Sequence, residues 1–296
     1  MSRPPYAAVV VLHRSAPELE TLLGSLDACR CAPAQLVVVD TGPPDGGSEL
    51  AHAHGVEVVE LRENPGFGAA CNAGLARVRQ PVTVFLNPDC EALDRSLVRL
   101  AEIAALHPGR LHAPRLLNRD GSIQRSAHAL PGTLGSMLPA LVHPPLLPEA
   151  LRTRAEPFRA ERPRTVGWAI AACLAGSTEL LRRLGPFDPG IHLFAEDMDL
   201  GLRARAAGVG TVLHPQLRLR HTGGHATLRD DEPYELLASR RRAVVAARRG
   251  AVALLLDDAA QTLTFATRSV ARLALGRPAE REHAQLAALR SARRGG

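Results

Sequence analysis

Two groups of side chains in this 296-residue chain have the types and spacing to do chemistry. The first is Asn87 and Asp89, in the segment 84–89 (VFLNPD), directly after an apolar run. A carboxylate at the rim of a sheet can bind a divalent cation that bridges two phosphates, and the nearby amide can assist. Asp89 would serve equally as an ordinary turn or helix-start residue. The second is the acidic cluster Glu196, Asp197 and Asp199, which follows the apolar HLF and opens the helical pattern LGLRARAAG. A helix dipole favours acids in its first turn, so capping alone would account for them. With His214, His221 and His225 downstream, they also suit a general base that deprotonates a hydroxyl near a metal and phosphate site. His221, followed by Thr-Gly-Gly, carries the donor atom of a metal ligand or a phosphate contact.

A third string, GFGAAC at residues 66–71, imitates a dinucleotide fingerprint, with acids about 20 residues further on. Its last position is Cys71 rather than Gly or Ala, and it follows the third strand signal rather than the first. Both departures argue against a nicotinamide or flavin site.

The elements that must position these residues alternate. Residues 6–12, 35–40, 56–61 and 82–86 are apolar, valine-rich runs that predict strands; residues 16–26 and the stretch ending near Val78 have helical spacing. Four such strands separated by helices predict an α/β fold, with a mainly parallel sheet that binds ligands at the strands' carboxyl ends. Residues 110–128 read as two short strands around the turn NRDG. Residues 126–148 hold no Asp, Glu or Arg and five prolines, which predicts a long apolar loop. Helices are expected over about 177–184 and 196–207, and again from residue 234 to the end.

Composition narrows the chemistry. All 36 basic residues are arginine, which excludes Schiff-base lysines, a lysine base and a Walker-type phosphate lysine. Five cysteines without a C-x-x-C pair fit neither a disulfide framework nor a zinc site, and read as reduced, mostly buried thiols. The N-terminal apolar run is too short for a signal-peptide core, and the longest apolar run, residues 166–176, is well below the roughly 20 residues of a membrane helix. A cytoplasmic protein is expected. The charge of +6 sits in the tail: residues 234–296 hold 12 Arg against 5 acids.

Taken in order, these segments resemble family 2 glycosyltransferases with the GT-A nucleotide-sugar fold, in particular the bacterial rhamnosyltransferase-like branch. The matching pieces are VVVD ending at Asp40 with the pair Asp45-Gly46, NPGFGAACNAG at 64–74, NPD at 87–89, GPFDPGIHLFAEDMDLGLRARAAG at 185–208, and His221. The match covers roughly residues 6–225; the alternation of strands and helices predicts helices on both faces of the sheet, and the C-terminal segment beyond it reads as helical. The resemblance implies that Asp40 contacts the base and that Asn64, Gly68 and Asn72 line the nucleotide pocket. Asn87 and Asp89 stand at the first and last positions of a D-x-D element, where Asp89 would hold Mg²⁺ or Mn²⁺ on the diphosphate, with His221 completing the metal site. Asp197 would be the catalytic base, with Glu196 beside it. The usual T-Y-N after the first strand is Leu12, His13, Arg14 here, and the usual Asn-x-Ser after Asp40 is Thr41, Gly42, Pro43.

The implied activity is inverting transfer of a sugar, rhamnose in that branch, from a nucleoside diphosphate donor to a hydroxyl of a glycan or lipid-linked acceptor in cell-envelope polysaccharide synthesis. A catalytically inactive nucleotide-sugar-binding scaffold is the alternative that the altered base-pocket residues leave open. A sugar-nucleotide pyrophosphorylase would need a Gly-rich, Lys-bearing loop where LHRSAPELE stands, and the tail has only Tyr234 and Phe265 for stacking on nucleic acid. The expected division is a catalytic domain, 1–233, and a basic helical segment, 234–296. In the latter, Leu263, Ala266, Val270 and Leu273 share a helical face, with Arg268 and Arg272 directed away from it. Such a helix can lie on an anionic inner membrane face; it can equally pack on the catalytic domain or on a second subunit of a homodimer.

Overall fold

The computed structural model describes residues 5–133, 136, 137, 140, 142, 148–223 and 233–294. The chain begins β1 (Ala7–Leu12), α1 (Ala16–Ala28), β2 (Gln35–Asp40), α2 (Gly47–Ala53), β3 (Glu57–Glu60), α3 (Phe67–Arg77) and β4 (Val82–Leu86). It continues through β5 (Cys90–Ala92), α4 (Ser96–Leu106), β6 (Leu111–Leu117), β7 (Ala127–His128), α5 (Glu149–Ala155), β8 (Arg164–Val166), β9 (Trp168–Ala169) and β10 (Cys173–Ser177). The remainder is α6 (Thr178–Leu184), α7 (Glu196–Ala206), β11 (Thr211–His221), α8 (Tyr234–Ala274) and α9 (Glu280–Arg294).

Strands pair in the order β3-β2-β1-β4-β10-β6-β11-β5, with β8 also on β11. The first four run parallel, as the alternating signals require, and β6 and β11 are parallel to each other. β10 enters antiparallel between β4 and β6. β1 shows why its run is uniformly apolar: Ala8, Val10 and Leu12 face the core shared with α1 and α4, while Ala7, Val9 and Val11 face the one shared with α3, α6 and α7. The chain leaves β1 toward β2 and β3 and then returns to β4 on the other side of β1. This reversal opens a crevice at the carboxyl ends of β1 and β4, the place where doubly wound sheets bind ligands.

The middle differs from the sequence reading. β6 is seven residues long, but its expected hairpin partner is reduced to one bridge, Leu117 to Ile123, and β7 pairs with β9 in a separate ribbon. Much of the long apolar loop expected at 126–148 lies outside the described residues, as does His225. The helical tail is present, with a bend at Gly250, whose φ of 79° only glycine adopts without strain. Val244, Val245 and Ala253 of α8 pack with Trp168, Met198 and Leu202, so its first half is seated on α7. The amphipathic stripe is not buried as one face. Leu263 and Ala266 are half-buried and Val270 and Leu273 exposed; Arg268 is turned partly inward near Glu156 and Glu282, and Arg272 reaches Glu282 and the Pro278 carbonyl. α9 packs along α8, and this second contact overrides the single-helix pattern.

Candidate functional site

At the carboxyl ends of β1 and β4 lies a cavity of about 440 Å³ whose walls include His13, Asn64, Asn87, Asp89, His192 and His221. Asp89 stands between β4 and β5, and β5 pairs antiparallel with β11 so that Cys90 is opposite His221. That register brings the two predicted metal residues together: His221 Nε2 is 3.3 Å from Asp89 Oδ1. The other carboxylate oxygen of Asp89 accepts from the Gly223 amide at 2.8 Å. Asn87 Nδ2 is 3.4 Å from His221 Nε2, and Asn87 Oδ1 is buried with no hydrogen-bond partner among the described residues.

A cation fits this donor set only in part from protein. Among the described residues no group of three or more His, Cys, Asp or Glu side chains could hold a metal, and Asp89 and His221 could supply two ligands. That is the arrangement expected when the ion is also carried by diphosphate oxygens and water.

A second cavity, of about 370 Å³, lies beside α7 and is walled by Glu196, Asp197, Trp168, Ile170 and Phe194, with Arg241, Phe265 and Leu289 from the C-terminal helices. The segment 192–197 separates the two: His192 and Leu193 face the first cavity, and Phe194 to Asp197 face the second. The chain turns between them through two consecutive left-handed residues, Phe194 (φ 66°) and Ala195 (φ 69°). A bulky residue there costs about 1–3 kcal/mol and is held only where surrounding structure dictates it.

Asp197 Oδ1 accepts from the Met198 amide at 2.7 Å and Oδ2 from the Ala171 amide at 3.3 Å. Burial raises the Asp197 carboxyl above its ordinary value, opposed by those amides. Burial raises Glu196 further, and the Asp197 charge adds to the effect. The two titrate as a pair, and the two amides that donate to Asp197 favour the anion there, the form a general base needs. Among the described residues, two buried polar atoms on this cavity's walls have no partner: Glu196 Oε2 and Trp168 Nε1. Asp199 is a different kind of acid. Its side chain is 1% exposed and is neutralised by Arg203 Nε at 2.7 Å and Arg248 Nε at 2.6 Å.

Other predicted residues are placed differently. Asn64 lines the first cavity and bonds the Gly66 amide. Gly66 is required there: at φ +93°, an added Cβ would lie 2.0 Å from the His192 carbonyl oxygen. Asn72 does not line this cavity, because its amide makes two bonds to the backbone of Phe187. Gly68 also serves packing, since a Cβ would meet Phe187 Cβ at 2.7 Å. Asp40 lines an adjoining hollow that shares Thr41, and its oxygens accept from the Gly42 amide and the Ser48 hydroxyl. His214 faces His112 at 3.0 Å, with both pKa values lowered mainly by burial, and it belongs to neither cavity. The cysteines are free and all but Cys29 are buried, with thiol pKa values raised by burial, as their spacing suggested.

Sequence reasoning missed His192, Trp168 and the tail residues of the second cavity. No local motif marks them; Trp168 and the tail residues come together only through the return of α8 and α9, and His192 reaches the first cavity by its close approach to Gly66.

Comparison with known proteins follows the same lines. The model of glycosyl transferase family 2 matches residues 8–163, just over half of the chain, ending before the Glu196–Asp197 pair. The sequence is 28% identical over 242 residues to the N-acetylglucosaminyl-diphospho-decaprenol L-rhamnosyltransferase of Mycobacterium tuberculosis, covering 75% of this chain and 77% of that protein. The structure resembles GalNAc-T7 with UDP, GalNAc and Mn²⁺ (TM-score 0.60, 18% identity), covering 81% of this chain and 48% of that one, so it spans about half of that protein. It also resembles the mannosyltransferase PcManGT from Pyrobaculum calidifontis in complex with GDP-Man and Mn²⁺ (TM-score 0.59, 18% identity), covering 98% of this chain and 86% of that one.

Proposed function

Because this chain belongs to glycosyl transferase family 2 and has the GT-A fold, we propose that it is an inverting, metal-dependent enzyme whose two cavities are its donor and acceptor sites. The observation that carries this reading is the segment 192–197, which walls both cavities and puts Asp197 on the side away from Asp89. In a single displacement, the acceptor hydroxyl attacks the anomeric carbon, Asp197 takes its proton, and the nucleoside diphosphate leaves from the opposite face. Burial and the neighbouring Asp197 charge both favour the neutral form of Glu196, and the Met198 and Ala171 amides fix the Asp197 carboxylate.

Asp89 and His221 would hold Mg²⁺ or Mn²⁺, which supplies counter-charge for the diphosphate leaving group. Mn²⁺ in the two similar structures supports a divalent ion. No lysine is available to share that task.

The name of the mycobacterial relative supports rhamnose as the sugar and a lipid-linked, diphosphate-bearing glycan of the cell envelope as the acceptor. The second cavity suits such an acceptor. Trp168 Nε1 and Glu196 Oε2 offer a donor and an acceptor to sugar hydroxyls, and Ile170, Phe265 and Leu289 offer apolar surface. We read residues 1–233 as the catalytic domain and 234–296 as a segment that completes the acceptor side. No helix among the described residues is long and apolar enough to cross a membrane. Val270, Leu273 and Leu275, which are 67%, 55% and 70% exposed, support peripheral contact with an anionic leaflet.

The test is a panel of nucleotide sugars read by thermal shift with Mn²⁺, followed by transfer assays on a lipid-linked N-acetylglucosamine acceptor. Stabilisation by one nucleotide sugar with transfer supports the enzyme. Stabilisation without transfer or hydrolysis identifies a scaffold.

A further inference from the structure

We propose that Gln124 is a positioning residue that fixes the tautomer of His221 and so presents an unprotonated Nε2 to the cation; this rests on the reading of Asp89 and His221 as metal ligands. The hydrogen-bond relay starts at an unambiguous acceptor. The Asp120 carboxylate accepts from the Ser122 hydroxyl at 2.6 Å. The Ser122 oxygen, having given its only proton, accepts from Asn118 Nδ2 at 2.8 Å. Asn118 therefore turns Oδ1 toward Gln124, and Gln124 Nε2 donates to it at 3.1 Å. The same Nε2 donates to the His221 carbonyl at 3.2 Å, so the direction of the amide is set twice. Gln124 Oε1 is then the atom facing His221 Nδ1 at 2.8 Å, and an amide oxygen can only accept. Nδ1 must carry a proton, so in the neutral tautomer that a cation needs the lone pair is on Nε2, beside Asp89 Oδ1 and Asn87 Nδ2.

The backbone holds this relay in register. The Gln124 amide donates to the Leu116 carbonyl on β6, and the Asn118 amide donates to the Ser122 carbonyl across the turn 118–122. The turn NRDG, outside the cavity and with no chemistry of its own, thus sets which ring nitrogen of His221 faces the donor site. Partners that hold the second nitrogen of a metal-bound histidine typically contribute 10- to 100-fold to metal affinity.

Two measurements test this, each with Gln124→Met, which keeps length and removes the bonds, and Gln124→Glu, which keeps an acceptor for Nδ1. Imidazole ¹⁵N shifts in the metal-free protein, with the His221 signals assigned by their loss in His221→Ala, should show Nδ1 protonated in wild type and in Gln124→Glu. Gln124→Met should move the proton toward Nε2. Mn²⁺ titrations followed by electron paramagnetic resonance, with UDP or dTDP present, should show roughly 10- to 100-fold weaker binding in Gln124→Met and a smaller loss in Gln124→Glu. An Nε2-protonated ring in wild type overturns the proposal, as does wild-type Mn²⁺ affinity in Gln124→Met while His221→Ala binds weakly. If Asp89→Asn and His221→Ala both leave Mn²⁺ affinity unchanged, it is the underlying metal-site reading that fails, and the metal role of Gln124 falls with it.

Discussion

Asp197 and Asp199 lie on the same helical turn, yet the structure gives them opposite tasks, and replacing each in turn should separate chemistry from stability. Asp199→Ala removes a carboxylate with a 1% exposed side chain that bonds Arg203 and Arg248 at 2.7 and 2.6 Å. Breaking a buried pair by deleting one partner costs about 3–5 kcal/mol, because the other charge is stranded. Here the stranded charges keep some partners. Arg203 still donates to the carbonyls of Leu184, Gly185 and Pro186 at 2.6–2.9 Å, and Arg248 still reaches Asp188 at 3.2 Å. The expected loss is therefore lower, about 2–4 kcal/mol. Urea unfolding followed by the fluorescence of Trp168, the sole tryptophan, reports directly on the junction of α7 and α8. Asp197→Asn should leave the urea midpoint at or above the wild-type value while transfer falls by about 10²–10⁴-fold. If Asp199→Ala stays within about 0.5 kcal/mol of wild type and loses transfer as fully as Asp197→Asn, the division of labour is wrong.

Other expectations follow from the same geometry. The transfer rate should rise with pH through an apparent pKa above the ordinary aspartate range, since burial holds Asp197 up; a limb at the ordinary value would refute its burial in the working enzyme. Between the ordinary carboxylate range and the raised values, the folded state binds more protons than the unfolded, so stability falls as pH rises through that window. Glu196→Gln should accordingly have a higher Tm than wild type on the alkaline side of the window and a similar Tm at pH 4; an unchanged difference across pH would contradict this. Gly66→Ala should cost about 2–4 kcal/mol, from left-handed strain and displacement of the His192 carbonyl, and should raise KM for the donor. An Ala variant as stable as wild type would show that the loop yields freely. Binding to anionic vesicles should exceed that to neutral ones and weaken with salt; indifference to lipid charge removes the peripheral-membrane proposal.

Much of the proposed donor side was legible in the sequence because its residues sit immediately after strands. β4 runs straight into Asn87 and Asp89, and a parallel sheet exposes such positions at its carboxyl edge whatever the rest of the chain does. Glu196 and Asp197 were legible as the start of a helix. That they are raised acids depended on burial in the folded chain, and that Asp199 is a paired one depended on Arg203 and Arg248, of which only Arg203 is a sequence neighbour. Asn72 and Gly68 show the converse: both lie in a matching motif, but one clips Phe187 and the other lets Phe187 approach.

The tail makes the same point at larger scale. Its arginine excess and helical pattern are properties of composition and spacing, and the helices are present. Where the arginines go is a property of packing. Arg241 is held by Asp257 with two 2.8 Å bonds, Arg242 pairs with Asp258, and Arg248 crosses to Asp199 on α7.

By itself, then, the sequence determined the alternating sheet, the strand-end residues and the absence of lysine, because these depend on period, position and residue type. Only the tertiary structure decided that His221 meets Asp89, that the segment 192–197 divides two cavities and that the C-terminal helices close the second. Each of those joins residues far apart in the chain through strand register or helix packing, which no local pattern encodes.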